Sequence, residues 1–270
     1  MTDTQNNHEE IDVHDTGVAI DIVCDRFSDE GWIRTSVHVP NEVEITLYIN
    51  QKEMVTILCT PSKINYLILG FLYGEGIISS IDDVLLMRVC EEESVADVRL
   101  QNTEIELPTK RTLTSGCGGG SMFKIDGQKV DSNFIASPTD VLSLMKQLLE
   151  QMELYKLSGG VHTSALADTK NLLVVAEDIG RHNTLDKING ECLGRGLSTK
   201  DKLLLCTGRV SSEMLLKTAK MQVPIVVSRH SPTGRAVSLA RDLGITLVGH
   251  AKGGRLTVYS HPERLGCSTK

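Results

Sequence analysis

A thiol set among glycines is the sharpest chemical feature of this sequence. The run Ser115-Gly116-Cys117-Gly118-Gly119-Gly120 flanks Cys117 with residues that have no bulk, so a large partner can reach its sulfur. A structural cysteine normally sits inside an apolar pattern. On an accessible loop near basic residues a thiolate is stabilised and nucleophilic. A Gly-rich hinge with an incidental cysteine has the same composition, and the residues alone leave both readings open. Cys59, Cys192 and Cys206 do lie in apolar patterns and are expected to fill the core.

The remaining chemistry gathers where expected strands run into expected helices. After a strand at 171–177 come Asp178, Ile179, Gly180, Arg181, His182 and Asn183; after 202–206 come Thr207, Gly208, Arg209, Val210 and Ser211; after 224–227 come Ser228, Arg229, His230, Ser231, Pro232 and Thr233. In open α/β sheets ligands bind outside the carboxyl ends of strands, where helix N-termini present backbone N–H groups. Arginine beside small hydroxyl residues or glycine is the equipment for gripping phosphate. Arg181, His182, Arg209, Ser211, Ser228 and Arg229 are therefore candidate ligand contacts. A last turn, His250, Ala251, Lys252, Gly253, Gly254 and Arg255, sets two cations beside glycines that permit close backbone approach. Singly, each segment is explained by N-capping through Ser211 or Thr233 and a solvated arginine. Four of them on one sheet favour a nucleotide-like or multiply phosphorylated ligand. His162, His182 and His230 are candidate acid–base groups, although histidines at element ends more often pack or cap.

The composition narrows the field. The chain has 270 residues, 40% hydrophobic and 23% charged, as in a folded globular protein of one large or two modest domains. Aromatic residues are only 4% and the net charge is -7. Stacking platforms for single strands and a global basic field for nucleic acid or an acidic membrane are both disfavoured. The first residues show no secretory pattern and no apolar run reaches the ~18 residues of a span, which points to the cytoplasm. Seven cysteines without a CxxC pair argue against a disulfide framework and structural zinc, so no metal ligands are assigned. Walker, HExxH, GxGxxG and Ser-His-Asp signatures are absent.

Two units are expected to position these groups. Residues 1–17 read as a disordered tail. Residues 18–112 read as a β-rich unit: strands at 41–50 and 54–59 forming a hairpin, a helix opened by Pro61 with Thr60 as N-cap, and strands at 84–89 and 95–107. Residues 113–136 are a Gly-rich loop and linker carrying Cys117. Residues 137–265 read as an α/β domain: a helix over 140–155 with Ser137 and Pro138 as start signals, then strands at 161–167, 171–177, 202–206, 224–227, 245–250 and 255–260. Helices are expected at about 181–194, 211–221 and 233–243. Helix-separated strands predict right-handed crossovers and a largely parallel sheet. Residues 266–270 are a tail.

A long series of ordered motifs carries a resemblance: Cys59-Thr60-Pro61, Gly70-Phe-Leu-Tyr-Gly-Glu-Gly-Ile-Ile78, Ser115-Gly-Cys-Gly118, Gly159-Gly-Val-His162, Asp178-Ile-Gly-Arg-His-Asn183 with Asp186-Lys187, Thr207-Gly-Arg-Val-Ser-Ser-Glu-Met214, Ser228-Arg229, Pro232-Thr233, Gly253-Gly-Arg-Leu-Thr-Val-Tyr259 and His261-Pro262. From about Glu42 to Leu265 the chain resembles the formate dehydrogenase accessory family FdhD, sulfur carriers that act on the molybdenum cofactor.

The resemblance implies a cytidine-deaminase-like three-layer α/β C-terminal unit beside the smaller α+β one, and a homodimer. It implies that Cys117 carries a persulfide, taking sulfur from a cysteine desulfurase and handing it to bis(molybdopterin guanine dinucleotide) before insertion into formate dehydrogenase. It maps a cofactor-binding turn onto His250 to Arg255, with a guanine nucleotide as an analogue of the bound substrate. The deaminase zinc signature, HxE with PCxxC, is missing, so zinc and deamination are disfavoured. Many members have a second cysteine three positions after the first. Gly120 stands there in this chain, so a mechanism needing both thiols is ruled out. The competing readings are a non-catalytic chaperone that holds the cofactor and a nucleotide-modifying enzyme on the same scaffold.

Overall fold

The structure, a computed structural model, describes residues 17–103, 112–113, 121–122 and 128–267. It begins with a hairpin, β1 (Ala19–Ser28) and β2 (Gly31–Pro40), paired without a register break from Ala19 opposite Pro40 to Ser28 opposite Gly31. Its burial alternates: Ile22, Cys24, Thr35, Val37 and Val39 are half-buried, while Asp21, Val23, Asp25, Ser36 and His38 are exposed. That is the period of a pleated ribbon with one supported face. The sequence reading covers this stretch only as part of a β-rich unit.

Next come β3 (Val43–Ile49), β4 (Lys52–Cys59), α1 (Ile64–Gly74), β5 (Val84–Cys90) and β6 (Val95–Leu100). The expected hairpin is β3 with β4, and the sheet order is β4-β3-β6-β5. Apolar side chains of α1, including Leu67, Ile68 and Leu72, close one face over Ile45, Leu47, Ile49, Ala96 and Val98. The helix starts at Ile64 rather than at Pro61. Thr60 does not cap it, because its N–H and hydroxyl are committed to the buried carboxylate of Asp178, at 3.1 Å each. Two short strands, β7 (Thr112–Leu113) and β8 (Ser121–Met122), pair antiparallel; Cys117, between them in sequence, lies outside the described residues.

The expected helix over 140–155 is two helices, α2 (Pro138–Glu150) and α3 (Glu153–Ser158). Ser137 caps the first by accepting from Asp140 N at 3.1 Å. The second starts afresh because the Glu177 carboxylate takes the N–H groups of Leu154 and Tyr155, at 2.8 and 3.1 Å.

The rest follows the expected order closely: β9 (His162–Ala167), β10 (Leu172–Asp178), α4 (Arg181–Arg195), β11 (Leu203–Cys206), α5 (Ser212–Lys220), β12 (Ile225–Ser228), α6 (Gly234–Leu243), β13 (Thr246–Lys252) and β14 (Arg255–Ser260). The sheet order is β10-β9-β11-β12-β13-β14. It is mixed, not largely parallel: only β11-β12 and β12-β13 pair parallel. The physical reason is connection length. β9 turns into β10 and β13 into β14 through short connections, which force antiparallel neighbours, and α4 carries the chain past β9 so that β11 pairs antiparallel to it.

Three layers result. On one face Leu166, Val174, Leu204, Val226 and Leu247 meet α4, α5 and α6; on the other Ala165, Leu205, Val227 and Val248 meet α2 through Val141, Leu144, Met145 and Leu148. Helix α4 also receives α1 at backbone contact. A Cβ on Gly70 would lie 1.8 Å from Asp186 O, and one on Gly190 1.8 Å from Tyr66 O.

Candidate functional site

Because β10, β11, β12 and β13 all run the same way while β9 and β14 run opposite, the four expected segments finish at one end of one sheet. Arg181, Arg209, Arg229, Lys252 and Arg255 are among the cations there. Arg209, Lys252 and Arg255 are exposed; Arg181 and Arg229 are half-buried.

Local hydrogen bonds fix each loop. Thr207 N donates to Thr163 O and its hydroxyl accepts from Thr163 N, at 2.9 and 3.0 Å. Gly208 follows, and a Cβ there would come within 3.2 Å of His162 Nδ1 and 3.3 Å of Arg181 Cβ, so the missing side chain lets the histidine, the arginine and the loop share one place. Ser211 caps α5 by accepting from Met214 N at 3.4 Å and lies 3.3 Å from His182 Nε2. Ser228 is fully buried; its hydroxyl donates to Gly208 O at 2.7 Å and accepts from His230 N at 3.0 Å. As a direct ligand contact Ser228 is thus displaced, since its lone pair and proton already tie two loops together. Among the described residues the buried Nε of Arg229 has no acceptor.

The last turn behaves similarly. Gly253 and Gly254 have φ of +59° and +72°, and a Cβ on either would meet nothing within 4 Å. This is the two-residue primed turn of a tight hairpin, and it leaves open space over the backbone. His250, at φ +54°, donates its N–H to His230 O at 3.4 Å and places Nε2 3.0 Å from Ser231 Oγ. Ala251 is fully buried against the α2 layer, so its methyl anchors the turn and does not face a ligand.

His162 and His182 are not the source of positive charge. Burial, then the neighbouring Arg181 and His230, hold His162 below its ordinary value. Burial, then Lys217 and Arg181, push His182 down to about 3. A neutral His182, whose Nε2 lies 3.4 Å from Glu213 Oε2, makes no ion pair with it, and it is not a proton donor of use near neutrality. The arginines and lysine carry the fixed positive charge at this sheet end.

Beneath the loops lies what the sequence reading quotes as motif without assigning a role. Asp178 and Lys187 form a fully buried ion pair at 2.6 Å. Asp178 Oδ1 accepts from Gly180 N and Asn183 Nδ2, both at 2.8 Å; Lys187 Nζ also donates to Thr60 Oγ1 at 2.9 Å and Thr60 O at 3.2 Å. A second buried group joins Lys217 to Asp186 at 2.7 Å and to Glu75 at 3.6 Å. Burial raises the Asp186 carboxyl to about 6. The signal that could have found both is charge at apolar positions: Asp186, Lys187 and Lys217 each occupy the inward face of a helix.

Cys59, Cys192 and Cys206 are buried, and burial raises each thiol to about 12, which makes them poor nucleophiles. Among the described residues no group of three or more His, Cys, Asp or Glu is placed to hold a metal ion, and no helix is long and apolar enough to cross a membrane.

The FdhD/NarQ family model matches residues 40–266. A Bacillus subtilis (strain 168) protein named sulfur carrier protein FdhD is 40% identical over 232 residues, covering 83% of this chain and 88% of its own. A Staphylococcus aureus (strain MRSA252) protein of the same name is 34% identical over 248 residues, covering 89% and 94%. A crystal structure from Desulfotalea psychrophila, described as a formate dehydrogenase accessory protein, superposes with a TM-score of 0.77 at 25% identity, covering 92% of this chain and all of that one. With a family match over most of its length and relatives this similar, the chain belongs to the FdhD/NarQ family.

Proposed function

We propose that this protein is a sulfur carrier for formate dehydrogenase maturation. In this reading the Cys117 thiolate attacks the terminal sulfur of a cysteine desulfurase persulfide; the new S–S bond forms as the donor cysteine leaves as thiolate. The acceptor, bis(molybdopterin guanine dinucleotide) bound as substrate, then supplies the electron pair that forms its bond to the terminal sulfur, being oxidised by two electrons as the S–S bond breaks and Cys117 leaves as thiolate, so no separate oxidant is needed. The chain is thereby a sulfurtransferase working in the cytoplasm, as a homodimer, on a C-terminal unit read as cytidine-deaminase-like. Residues 18–112 and 137–265 act as its two units, with 113–136 between them.

The observation that carries the reading is the convergence of Arg181, Arg209, Arg229, Lys252 and Arg255 on one sheet end, in a chain whose relatives are named sulfur carriers. Open backbone at Gly253 and Gly254 and the Arg229 Nε without an acceptor suit a phosphate-rich ligand. The three buried thiols are unsuited to carrying sulfur, which leaves the role to a cysteine elsewhere in the chain.

Mass spectrometry after incubation with a cysteine desulfurase and cysteine tests this. One added sulfur on Cys117, lost in Cys117→Ala, is expected; an unmodified wild-type chain overturns it. A chaperone that only holds the cofactor would instead retain maturation in Cys117→Ala and lose it in Arg255→Ala.

A further inference from the structure

A cavity of about 180 Å³ lies where α4 and α5 finish, away from the arginine-bearing loops from which both helices start. Its walls come from the second half of α4 and the turn after it, from Tyr73 of α1 and from the end of α5. Leu193, Leu197 and Met221 make it partly apolar, and among the described residues no Asp or Glu lines it.

Most polar groups on these walls are already committed. Tyr73 Oη donates to Lys220 O at 3.3 Å, the Thr199 hydroxyl to Met221 O, and Gln222 Nε2 to Ala219 O at 2.9 Å; Ser198 Oγ accepts from Lys200 N at 3.3 Å. With Leu197 N on Cys192 O at 2.8 Å, these bonds also occupy carbonyls at the two helix ends, so the negative poles there are partly covered.

Two side chains are not committed. Asn189 is only 5% exposed and lines the cavity, yet its carboxamide makes no hydrogen bond among the described residues. A buried amide left so is costly unless something enters to meet it. Lys220 Nζ lies 4.9 Å from the centre of the Tyr73 ring with no acceptor among the described residues. A Cβ on Gly76 would come within 3.2 Å of that nitrogen, so the glycine gives it room. Burial lowers the Lys220 pKa; Glu75 partly offsets this and Lys217 adds to it. Glu75 is itself drawn to Lys217, at 3.6 Å. Lys220 is thus a cation short of both water and a counter-ion.

These walls define their ligand. The ammonium calls for an anion, while the carboxamide offers one donor group and one acceptor, so the ligand must accept and donate there. A cavity of ~150 Å³ holds benzene, which sets the size at about six heavy atoms. A short 2-hydroxycarboxylate meets all three demands: its carboxylate accepts from Lys220, its hydroxyl donates to Asn189 Oδ1, and its carbon chain meets the leucines. A 2-amino acid of the same size would bring a second cation toward Lys220 and Lys200 and is repelled.

The geometry points to this cavity as a binding site for a short 2-hydroxycarboxylate, with Lys220 holding the carboxylate and Asn189 reading the hydroxyl. The site needs neither Cys117 nor the sheet-end arginines, so Cys117→Ala and Arg255→Ala leave its readout unchanged.

Ligand-observed NMR on the full chain, with lactate, lactamide and propionate as probes, tests it. Lactate is expected to bind with a dissociation constant on the order of 1–10 mM. It should bind at least ~10-fold tighter than lactamide, which lacks the charge, and ~5-fold tighter than propionate, which lacks the hydroxyl. Lys220→Met removes the first preference and Asn189→Leu the second, a separation that general loosening of the fold would not produce. Leu197→Trp fills the cavity and abolishes binding of all three. Where a variant fails to fold, the ranking of the three probes on wild type decides alone. No saturable binding of lactate up to ~50 mM, lactate no tighter than lactamide or propionate, preferences that survive in Lys220→Met and Asn189→Leu, or unchanged binding in Leu197→Trp each overturns the assignment.

Discussion

Asp178 and Lys187 lie 2.6 Å apart with neither side chain exposed, and around them Thr60, Gly180 and Asn183 satisfy the remaining carboxylate sites. The pair links the end of β10, the middle of α4 and the segment after β4. Thr60, next to the core under α1, is thereby tied by hydrogen bonds to a charge pair built within β10 and α4.

Breaking that pair from one side should be costly. Lys187→Met or Asp178→Asn leaves an uncompensated buried partner, and loss of ~3–5 kcal/mol is expected. Urea unfolding followed by circular dichroism measures it. A midpoint within error of wild type would show that the pair does not hold these segments.

The contact of α1 with α4 gives a second stability prediction. A methyl at Gly70 or Gly190 would sit 1.8 Å from a carbonyl oxygen of the other helix, so Gly70→Ala and Gly190→Ala must push the helices apart and lower the thermal midpoint by several degrees. At Gly234, the start of α6, an added Cβ would meet nothing within 4 Å. Gly234→Ala serves as the control, within ~0.5 kcal/mol of wild type.

The elements of the C-terminal unit are legible because Leu203–Cys206 and Ile225–Ser228 are apolar runs cut off by Gly, Ser and Pro, with capping residues where the helices start. Strand direction is not legible: nothing in Ala165 or Leu205 tells which way its neighbour runs, and pairing is a long-range property. The first hairpin is covered only as part of a β-rich unit although Ile20, Ile22, Val37 and Val39 alternate, because polar and acidic residues between them leave no apolar run to mark its strands. At the site, spacing locates the arginines, but Ser228 and Ala251 look like ligand contacts in sequence and are buried in the fold. Only packing distinguishes a hydroxyl that holds a loop from one that holds a ligand.

His182 gives the pH prediction. In the folded protein it stays neutral down to about 3, whereas in the unfolded chain it takes a proton below ~6.5. The unfolded state therefore binds more protons between those values, and stability falls as pH drops through that window. Asp186, raised to about 6, acts in the opposite sense between about 6 and 3.8. The comparison is therefore wild type against His182→Gln: on going from pH 7 to 4 the wild type should lose on the order of a few kcal/mol more. Parallel stability curves would mean that His182 is protonated in the fold.

Thiol counting separates the buried cysteines from the rest. Of seven cysteines, Cys59, Cys192 and Cys206 are buried with thiols near 12, so iodoacetamide at pH 8 should add at most four groups to the native chain and seven after denaturation. Peptide mapping that finds Cys206 alkylated in the native chain would show that the sheet end above it opens.

The arginine-bearing sheet end makes the last prediction. Arg255 and Lys252 flank Gly253 and Gly254 and are exposed, so truncating Arg255 disturbs no buried group, and its effect on an anionic ligand reads contact directly. Guanosine diphosphate is the probe. Arg255→Ala and Arg209→Ala should each weaken its binding ~10-fold, with a shallower salt dependence, since one charge-assisted contact is lost and stability is untouched. Ser228→Ala should also weaken binding, but for another reason: with Gly208 O and His230 N left unpaired, the loops shift and the thermal midpoint falls as well. Isothermal titration with parallel melting curves separates the two. Equal affinity in all three variants would move the ligand away from this end of the sheet.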